Sequence, residues 1–527
     1  MKSCRRMKSC RWWILLLLTT YQSAAAERPN ILFIMADDHT FQAIGAYGRQ
    51  LAALNPTPNI DSLAANGMRF DQVFCTNSIC TPSRATIITG QYCQTHGVLD
   101  LSGNIPPEQQ YLPTEMKKAG YQTAMVGKWH LKKEPPAFDY YSVLRGQGDY
   151  FDPTFFVRGE QAWPKNSVQK KGLHSSDAIT DISLEWLKHG RDRSKPFFLM
   201  HHFKAPHDMF ENAERYESYL AETEIPEPSN LHSPPDGSIA SRGFGSGLGR
   251  EHAPWKLGRK LGIDPQLEER AYAKACYQEF LKRYLRCVKG VDDNVQRLVD
   301  YLKETNELDN TVIIYTGDQG FFLGEHDLMD KRWMYEEAMR MPFIVHWPRV
   351  VQSGTVNRWL INNADFAPTM LAIAGVATPD YMQGHSFMEA LQGQPKPNDW
   401  RTETYYRYWM HLAHQLAVPA HFGIRSERYK LIFFYGGTGQ VGRRSASLPA
   451  GVDRNKGGPV KDVTTPVAWE FYDLQTDPTE MKNEYNNPAY ADVIAKMKRQ
   501  LQATRKALRE EDTEAEIVEV ISKHWDG

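Results

Sequence analysis

The sequence predicts an α/β protein: a large mixed, mostly parallel sheet between helices, followed by a smaller C-terminal antiparallel sheet with a helix. Three observations carry this. Four short apolar runs each end in a polar cluster, helical patterns lie between them, and the texture of the chain changes past residue 400. The runs are 31–36 before Asp37 and Asp38, 123–126 before Gly127 and Lys128, 197–200 leading to Lys204 and His207, and 312–315 before Asp318 and Gln319. Runs this short and uniformly apolar fit strands buried on both faces of a parallel sheet. Helical spacing covers 109–119, 176–189 and 268–305. Strands alternating with helices give a layered α/β fold. Ligands bind there beyond the carboxyl ends of the strands, where the polar clusters fall. After residue 400, segments 422–425 and 429–434 read as two strands around a turn at 426–428. Segment 469–474 reads as a third strand, and 489–511 as a charged helix. Two stretches, 226–262 and 436–466, are rich in Gly, Ser, Pro and basic residues and have little periodicity. Loops of that length are uncommon unless functional or disordered.

The 527 residues suffice for one large domain and a smaller one. Residues 1–26 stand apart. Lys2, Arg5, Arg6, Lys8 and Arg11 precede an apolar core at 12–18, and Ala24, Ala25 and Ala26 offer a small-residue cleavage site. This reads as a signal peptide cleaved near Ala26, too short to span a membrane, and it predicts export to the periplasm or the exterior. The expected division is therefore 1–26 signal, 27–398 catalytic domain and 399–527 C-terminal α+β subdomain. Without the signal, 57 basic residues face 63 acidic ones, a net charge near −6. That balance excludes general binding to nucleic acid, so an anionic substrate would need locally placed cations. Five cysteines remain beyond the signal, too few for a disulfide scaffold. Cys75 and Cys93 could bridge in an exported protein; buried free thiols are the alternative.

Asp37, Asp38, Asp318 and Gln319 are hard oxygen donors. Three carboxylates and an amide suit Ca²⁺ or Mg²⁺ and offer no soft ligand for zinc. A helix cap is the competing reading of an Asp-Asp pair. For Asp292 and Asp293, which lie inside a helical pattern and not after a strand, a structural role is preferred to metal binding. Cys80 opens the string Cys80-Thr81-Pro82-Ser83-Arg84. Pro82 suits a first helical turn, which would put Arg84 one turn beyond Cys80. Lys128 and His130 alternate around Trp129, so in an extended segment both point to one side.

The C-x-P-x-R string, with the surrounding segments in this order from about Arg28 to Pro488, resembles the type I, formylglycine-dependent sulfatases of the alkaline phosphatase superfamily. The resemblance implies that a maturation enzyme oxidises Cys80 to formylglycine. One hydroxyl of the aldehyde hydrate attacks sulfur, and the other re-forms the aldehyde and expels sulfate. It places Asp37, Asp38, Asp318, Gln319 and the oxygen of residue 80 around one divalent ion, usually calcium. The family commonly has Asn or His where Gln319 stands; Gln keeps the carbonyl donor and is one methylene longer. Arg84 supports the nucleophile's oxyanion, Lys128 and Lys331 anchor sulfate, His130 is the base and His207 the acid for the leaving oxygen. Histidine suits both jobs because its pKa lies near working pH.

Nothing in these motifs selects the group that carries the sulfate. Arg407, His411 and His414 sit in an aromatic and cationic cluster at 405–414. Flat aromatic faces with charged tips suit sulfated sugars, while a packing seam between domains is the alternative. Export and the two long loops favour a sulfated carbohydrate, by analogy with polysaccharide and glycosaminoglycan sulfatases. The rivals are a choline-sulfatase-like enzyme, a phosphodiesterase or phosphonate hydrolase of the same superfamily, and a silent carbohydrate-binding homologue.

Overall fold

The computed structural model describes residues 28–249, 257–413, 416–441 and 461–526. The expected signal peptide lies outside the described residues. Among the described residues no helix is long and apolar enough to cross a membrane.

Each of the four apolar runs is a strand: Asn30–Asp37, Gln122–Gly127, Phe197–Pro206 and Thr311–Gly317. They form the centre of a ten-stranded sheet. Asn30–Asp37 lies between Thr311–Gly317 and Phe197–Pro206, and Gln122–Gly127 pairs with the far side of Phe197–Pro206, all in parallel. Antiparallel strands enter on both flanks, Phe343–His346 on one and Thr154–Val157 on the other. The sheet is therefore mixed with a parallel centre.

Residue alternation explains its burial. Ile31, Phe33 and Met35 join one apolar cluster, while Leu32, Ile34 and Ala36 join the other. Successive side chains of a strand point to opposite faces, so a strand covered on both faces must be apolar throughout. Each such side chain withdrawn from water contributes roughly 1.5–3 kcal/mol. Helices Cys80–Thr89, Tyr111–Lys118 and Phe366–Ile373 cover the first face. Helices Ser175–Glu185 and Glu269–Glu304 cover the second.

The C-terminal part is a four-stranded antiparallel sheet of Glu403–Tyr408, His421–Ser426, Tyr429–Phe434 and Ala468–Asp473. Helix Ala491–Ala507 packs Ile494, Met497 and Leu501 against Phe422, Leu431, Phe433 and Phe471. The alternate residues Tyr406, Tyr408, Ile432 and Phe434 face the main core, so the small sheet is sandwiched. Stretch 436–466 holds a hairpin of Gly437–Val441 with Lys461–Thr465, an element its composition concealed. Cys75 and Cys93 are buried free thiols, so the bridge considered for them is not formed. Asp292 accepts from the backbone N–H groups of Asn59 and Ile60 at 3.0 and 2.9 Å, and Asp293 accepts from Tyr216 OH at 2.8 Å, the structural use expected of that pair.

Candidate active site

The four central strands run in parallel, so their carboxyl ends share one edge of the sheet, and four polar clusters meet there. Asp37 ends its strand and Asp38 turns away with φ 65°. The Asp38 N–H donates to Asp318 Oδ1 at 3.0 Å, tying the first strand end to the fourth. Gly317 permits this approach: a Cβ there would lie 2.4 Å from the carbonyl oxygen of His39. Gly127 does the same on the other side. It has φ 99°, and an added Cβ would fall 1.9 Å from His202 O, the oxygen that accepts the Lys128 N–H at 2.8 Å.

Cys80 is the first residue of helix Cys80–Thr89, with Pro82 in its first turn. Arg84 follows one turn later and locks the constellation. Its Nε donates to Asp318 Oδ2 at 3.1 Å, its Nη1 to Lys128 O at 2.6 Å, and its Nη2 lies 3.0 Å from Asp318 Oδ2 and 3.4 Å from Asp37 Oδ1. A planar guanidinium with fixed donors is suited to bridging two carboxylates and a carbonyl at once. Burial pushes the Cys80 thiol above its ordinary pKa despite the nearby Lys128 and Lys331 ammoniums. A thiol held protonated is a poor nucleophile in unmodified form.

The donor set fits an oxygen-bound divalent ion. Asp37 Oδ1, Asp38 Oδ2 and Gln319 Oε1 are buried oxygens without a hydrogen-bond partner. Buried polar atoms left unpaired in this way call for a ligand. Ligand atoms of Asp37, Asp38 and His207 all lie within 4.8 Å of one another. Gln319 Nε2 donates to Asp38 Oδ1, which turns its carbonyl oxygen free. Asp318 has both oxygens engaged, by Asp38 N and Arg84, yet a carboxylate keeps further lone pairs.

Cations surround these oxygens. Lys128 Nζ donates to Asp37 Oδ2 and Lys331 Nζ to Asp38 Oδ1. Burial would raise the Asp37 carboxyl, but Lys128, His207 and Arg84 hold it well below the usual range. For Asp38 burial prevails and its pKa is raised. Asp318, buried beside Asp37, is raised to about 7. His207 places Nε2 3.8 Å from Asp38 Oδ2 and Nδ1 2.6 Å from Asp208 Oδ1. His130 reaches the site differently from the extended geometry expected. The strand stops at Gly127, and His130 takes φ 56° so that its Nδ1 meets Thr81 Oγ1 at 3.2 Å. Burial and the Lys128 charge hold its imidazole well below the ordinary pKa. A cavity of about 430 Å³ opens above Cys80, lined by Gln147, Lys204, His207, Asp208, Lys331 and Arg332 among others.

Comparison with known proteins agrees with this arrangement. The family model described as Sulfatase matches residues 29–376, more than half of the chain. The chain belongs to the sulfatase family. It is a sulfuric ester hydrolase, and its C-terminal part matches a second model, N-sulphoglucosamine sulphohydrolase, C-terminal, over 324–441 and 452–507. It is similar to an N-acetylglucosamine-6-O-sulfatase of Bacteroides thetaiotaomicron, 36% identical over 93% of this chain and 88% of the relative. An ulvan-active sulfatase of Formosa agariphila is 25% identical over 90% of this chain and 79% of the relative. A solved structure in complex with its substrate, D-glucosamine-2-N,6-O-disulfate, superposes with a TM-score of 0.80. That protein is 35% identical, and the match covers 92% of this chain and 99% of the other.

The sulfatase fold gathers Asp37, Asp38, Cys80, Arg84, Lys128, His130, His207, Asp318, Gln319 and Lys331 at one place. Neither Arg407 nor His411 lines the cavity above Cys80. Arg407 is 3% exposed and pairs with Glu510 and Asp512, each at 2.6 Å. Its guanidinium is consumed by these carboxylates, so the geometry is that of a packing seam. His411 Nδ1 accepts the Ala420 N–H at 3.1 Å, and His414 lies outside the described residues. Sequence reading missed Thr81, Ser83, Asp208 and Tyr284. Ser83 Oγ donates to Asp318 O, and Tyr284 OH donates to Asp38 O at 2.7 Å. Ser83 and Thr81 stood within the quoted Cys80 string; Tyr284, on a helix remote in sequence, carried no local signal.

Proposed function

We propose that this sulfatase hydrolyses a sulfate ester on a glucosamine unit of glycosaminoglycan type, using formylglycine made from Cys80 and one divalent ion, calcium or magnesium. The observation that carries the reading is the convergence on Cys80 of three unpaired buried oxygens and a ring of ammonium and imidazole groups. The 6-O-sulfatase relative and the glucosamine disulfate of the similar structure support the sugar.

Asp37, Asp38, Asp318 and Gln319 would hold the ion, which supplies positive charge to the sulfate oxygens and to the oxygen on residue 80. Residue 80, as a hydrated aldehyde, supplies two hydroxyls on one carbon. Lys128 and Lys331 place ammonium groups at the sulfate oxygens, where charge shifts as the ester bond breaks. Arg84 orients the oxygen of residue 80 from one turn below. Thr81 Oγ1 donates to His130 O at 3.3 Å and accepts from His130 Nδ1. That pairing fixes the tautomer and leaves Nε2 as the lone-pair acceptor for a hydroxyl proton. Burial would raise the Asp208 carboxyl, but His207 beside it holds it below its ordinary pKa. Asp208 Oδ1, 2.6 Å from His207 Nδ1, orients the imidazole so that Nε2 can deliver a proton to the leaving sugar oxygen.

The functional division follows as 27–398 for catalysis and 399–527 for the C-terminal unit, with residues 1–26 directing export and a maturation enzyme as partner. Two measurements test the reading. The Cys80 peptide from the native host should be lighter than the thiol form by about 18 Da. The purified protein should release sulfate from N-acetylglucosamine-6-sulfate in preference to hexosamine 4-sulfates. An unmodified thiol in an inactive protein refutes it.

A further inference from the structure

Lys204 lies near the carboxyl end of strand Phe197–Pro206, between the strands that deliver Asp37 and Lys128. The strand is irregular here, its register against Asn30–Asp37 shifting between Phe203 and Pro206, so alternation along the strand does not set the direction of this side chain. The side chain is 5% exposed and its open side faces the cavity above Cys80. Its Nζ stands 4.6 Å over the Tyr150 ring, and Tyr150 is itself anchored by its hydroxyl to His207 O.

The charge state of this residue sets it apart from the other two lysines. Lys128 and Lys331 each rest on a carboxylate. Among the described residues Lys204 has no carboxylate within the 4.0 Å of an ion pair. Asp37, Asp208 and Glu211 act on it only from farther away, and Lys128 is near enough to repel it. A buried ammonium without a counter-ion destabilises a fold. An aromatic face compensates a small part of that cost. A charge kept in this state at the wall of a reaction cavity is accounted for by an anion that occupies the cavity.

We propose that Lys204 is a further catalytic residue of this sulfatase, binding a non-bridging oxygen of the sulfate group that is hydrolysed. The inference rests on the proposed sulfate-ester chemistry and adds a third ammonium to it. Its strand lies between those of Asp37 and Lys128, and its side chain shares the cavity lining with Cys80, His207 and Lys331, the groups assigned to the reacting sulfate. In the sequence Lys204 stands near His207 after the run 197–200, and only His207 carries an expected role there.

The test uses the full matured enzyme and the variants Lys204→Met and Lys204→Arg. The readouts are inhibition by inorganic sulfate, kcat/KM on glucosamine 6-sulfate and on glucosamine 2-N,6-O-disulfate, and melting temperature. Lys204→Met should weaken inhibition by sulfate and lower kcat/KM by about tenfold or more on both esters alike. The same variant should melt at a higher temperature, because an uncompensated buried charge has been removed. Lys204→Arg should recover part of the sulfate inhibition. Unchanged sulfate inhibition in Lys204→Met overturns the proposal. So does a loss confined to the disulfated ester, which would make Lys204 a reader of the second anion. So does a lower melting temperature with unaltered kinetics, the mark of a structural lysine. A parent enzyme that hydrolyses neither ester, yet binds inorganic sulfate through Lys204, would refute the substrate reading and support the cation site.

Discussion

The hydroxyl of Tyr284, on helix Glu269–Glu304, donates to the backbone carbonyl of Asp38 at 2.7 Å and accepts the N–H of Thr40 at 3.1 Å. One side chain from a distant helix thus clamps both ends of the turn in which Asp38 adopts φ 65°. Tyr284→Phe removes the clamp and leaves a buried carbonyl and N–H unpaired, which costs about 1–3 kcal/mol. It should also weaken divalent-ion affinity by about 10–100-fold, as loss of a supporting hydrogen bond behind a metal ligand does. Isothermal titration with Ca²⁺ and urea denaturation check both outcomes; unchanged affinity would show that the turn holds itself.

A serine at position 80 has one hydroxyl where the hydrated aldehyde has two. Cys80→Ser should release at most one equivalent of desulfated sugar per enzyme and then stall, whereas Cys80→Ala should release none. Rapid-quench measurement of sugar and sulfate separately distinguishes them. Sustained turnover by either variant would exclude the proposed role of residue 80.

Arg407 neutralises Glu510 and Asp512 in the seam between the small sheet and the C-terminal segment. Arg505 also pairs with Glu510, at 2.9 Å, and with Asp512, so truncating Arg407 leaves two buried carboxylates on one guanidinium and costs less than the ~3–5 kcal/mol of a charge left with no partner. Arg407→Ala should therefore lower stability measurably in urea denaturation. Below the unfolding transition it should keep its ratio of kcat/KM between sulfated sugars. A changed ratio would restore Arg407 to the substrate.

Lys430 lies 3.0 Å from Glu336 and 2.7 Å from Glu480, so two buried carboxylates share one ammonium. Burial raises Glu480 from 4.5 to about 7, Lys430 opposing and Glu336 adding to the rise. The folded state then holds a proton on Glu480 that the unfolded chain has lost. Its contribution to stability is complete below pH 4.5 and is lost as pH rises to about 7. Glu480→Gln should flatten the fall in melting temperature across that window, read by calorimetry at several pH values. An unaltered slope would assign the titration elsewhere.

The strand ends were legible because each carries its chemistry locally, an apolar run followed at once by Asp37 and Asp38, Lys128, His207, or Asp318 and Gln319. The Cys80 string was legible for the same reason. His130 was placed correctly in the site by its motif but through the wrong backbone, since alternation assumes an extended segment and the strand stops at Gly127. Arg407 stayed open between a sugar contact and a packing seam, because the partner that decides for the seam, Glu510, lies 103 residues away. The hairpin at 437–441 and 461–465 was hidden by Gly- and Ser-rich composition, which hydrogen-bonding across the ladder overrode.

What the sequence by itself determined is the α/β layering and the set of residues that can carry the reaction, because periodic burial and the hard-donor character of carboxylates are properties of residue type and spacing. What only the tertiary structure decided is which charges are already spent. Arg407 is neutralised and Lys204 is not, since ion pairing depends on distance through space between side chains brought together by the packed sheet, and a one-dimensional order of residues does not contain that distance.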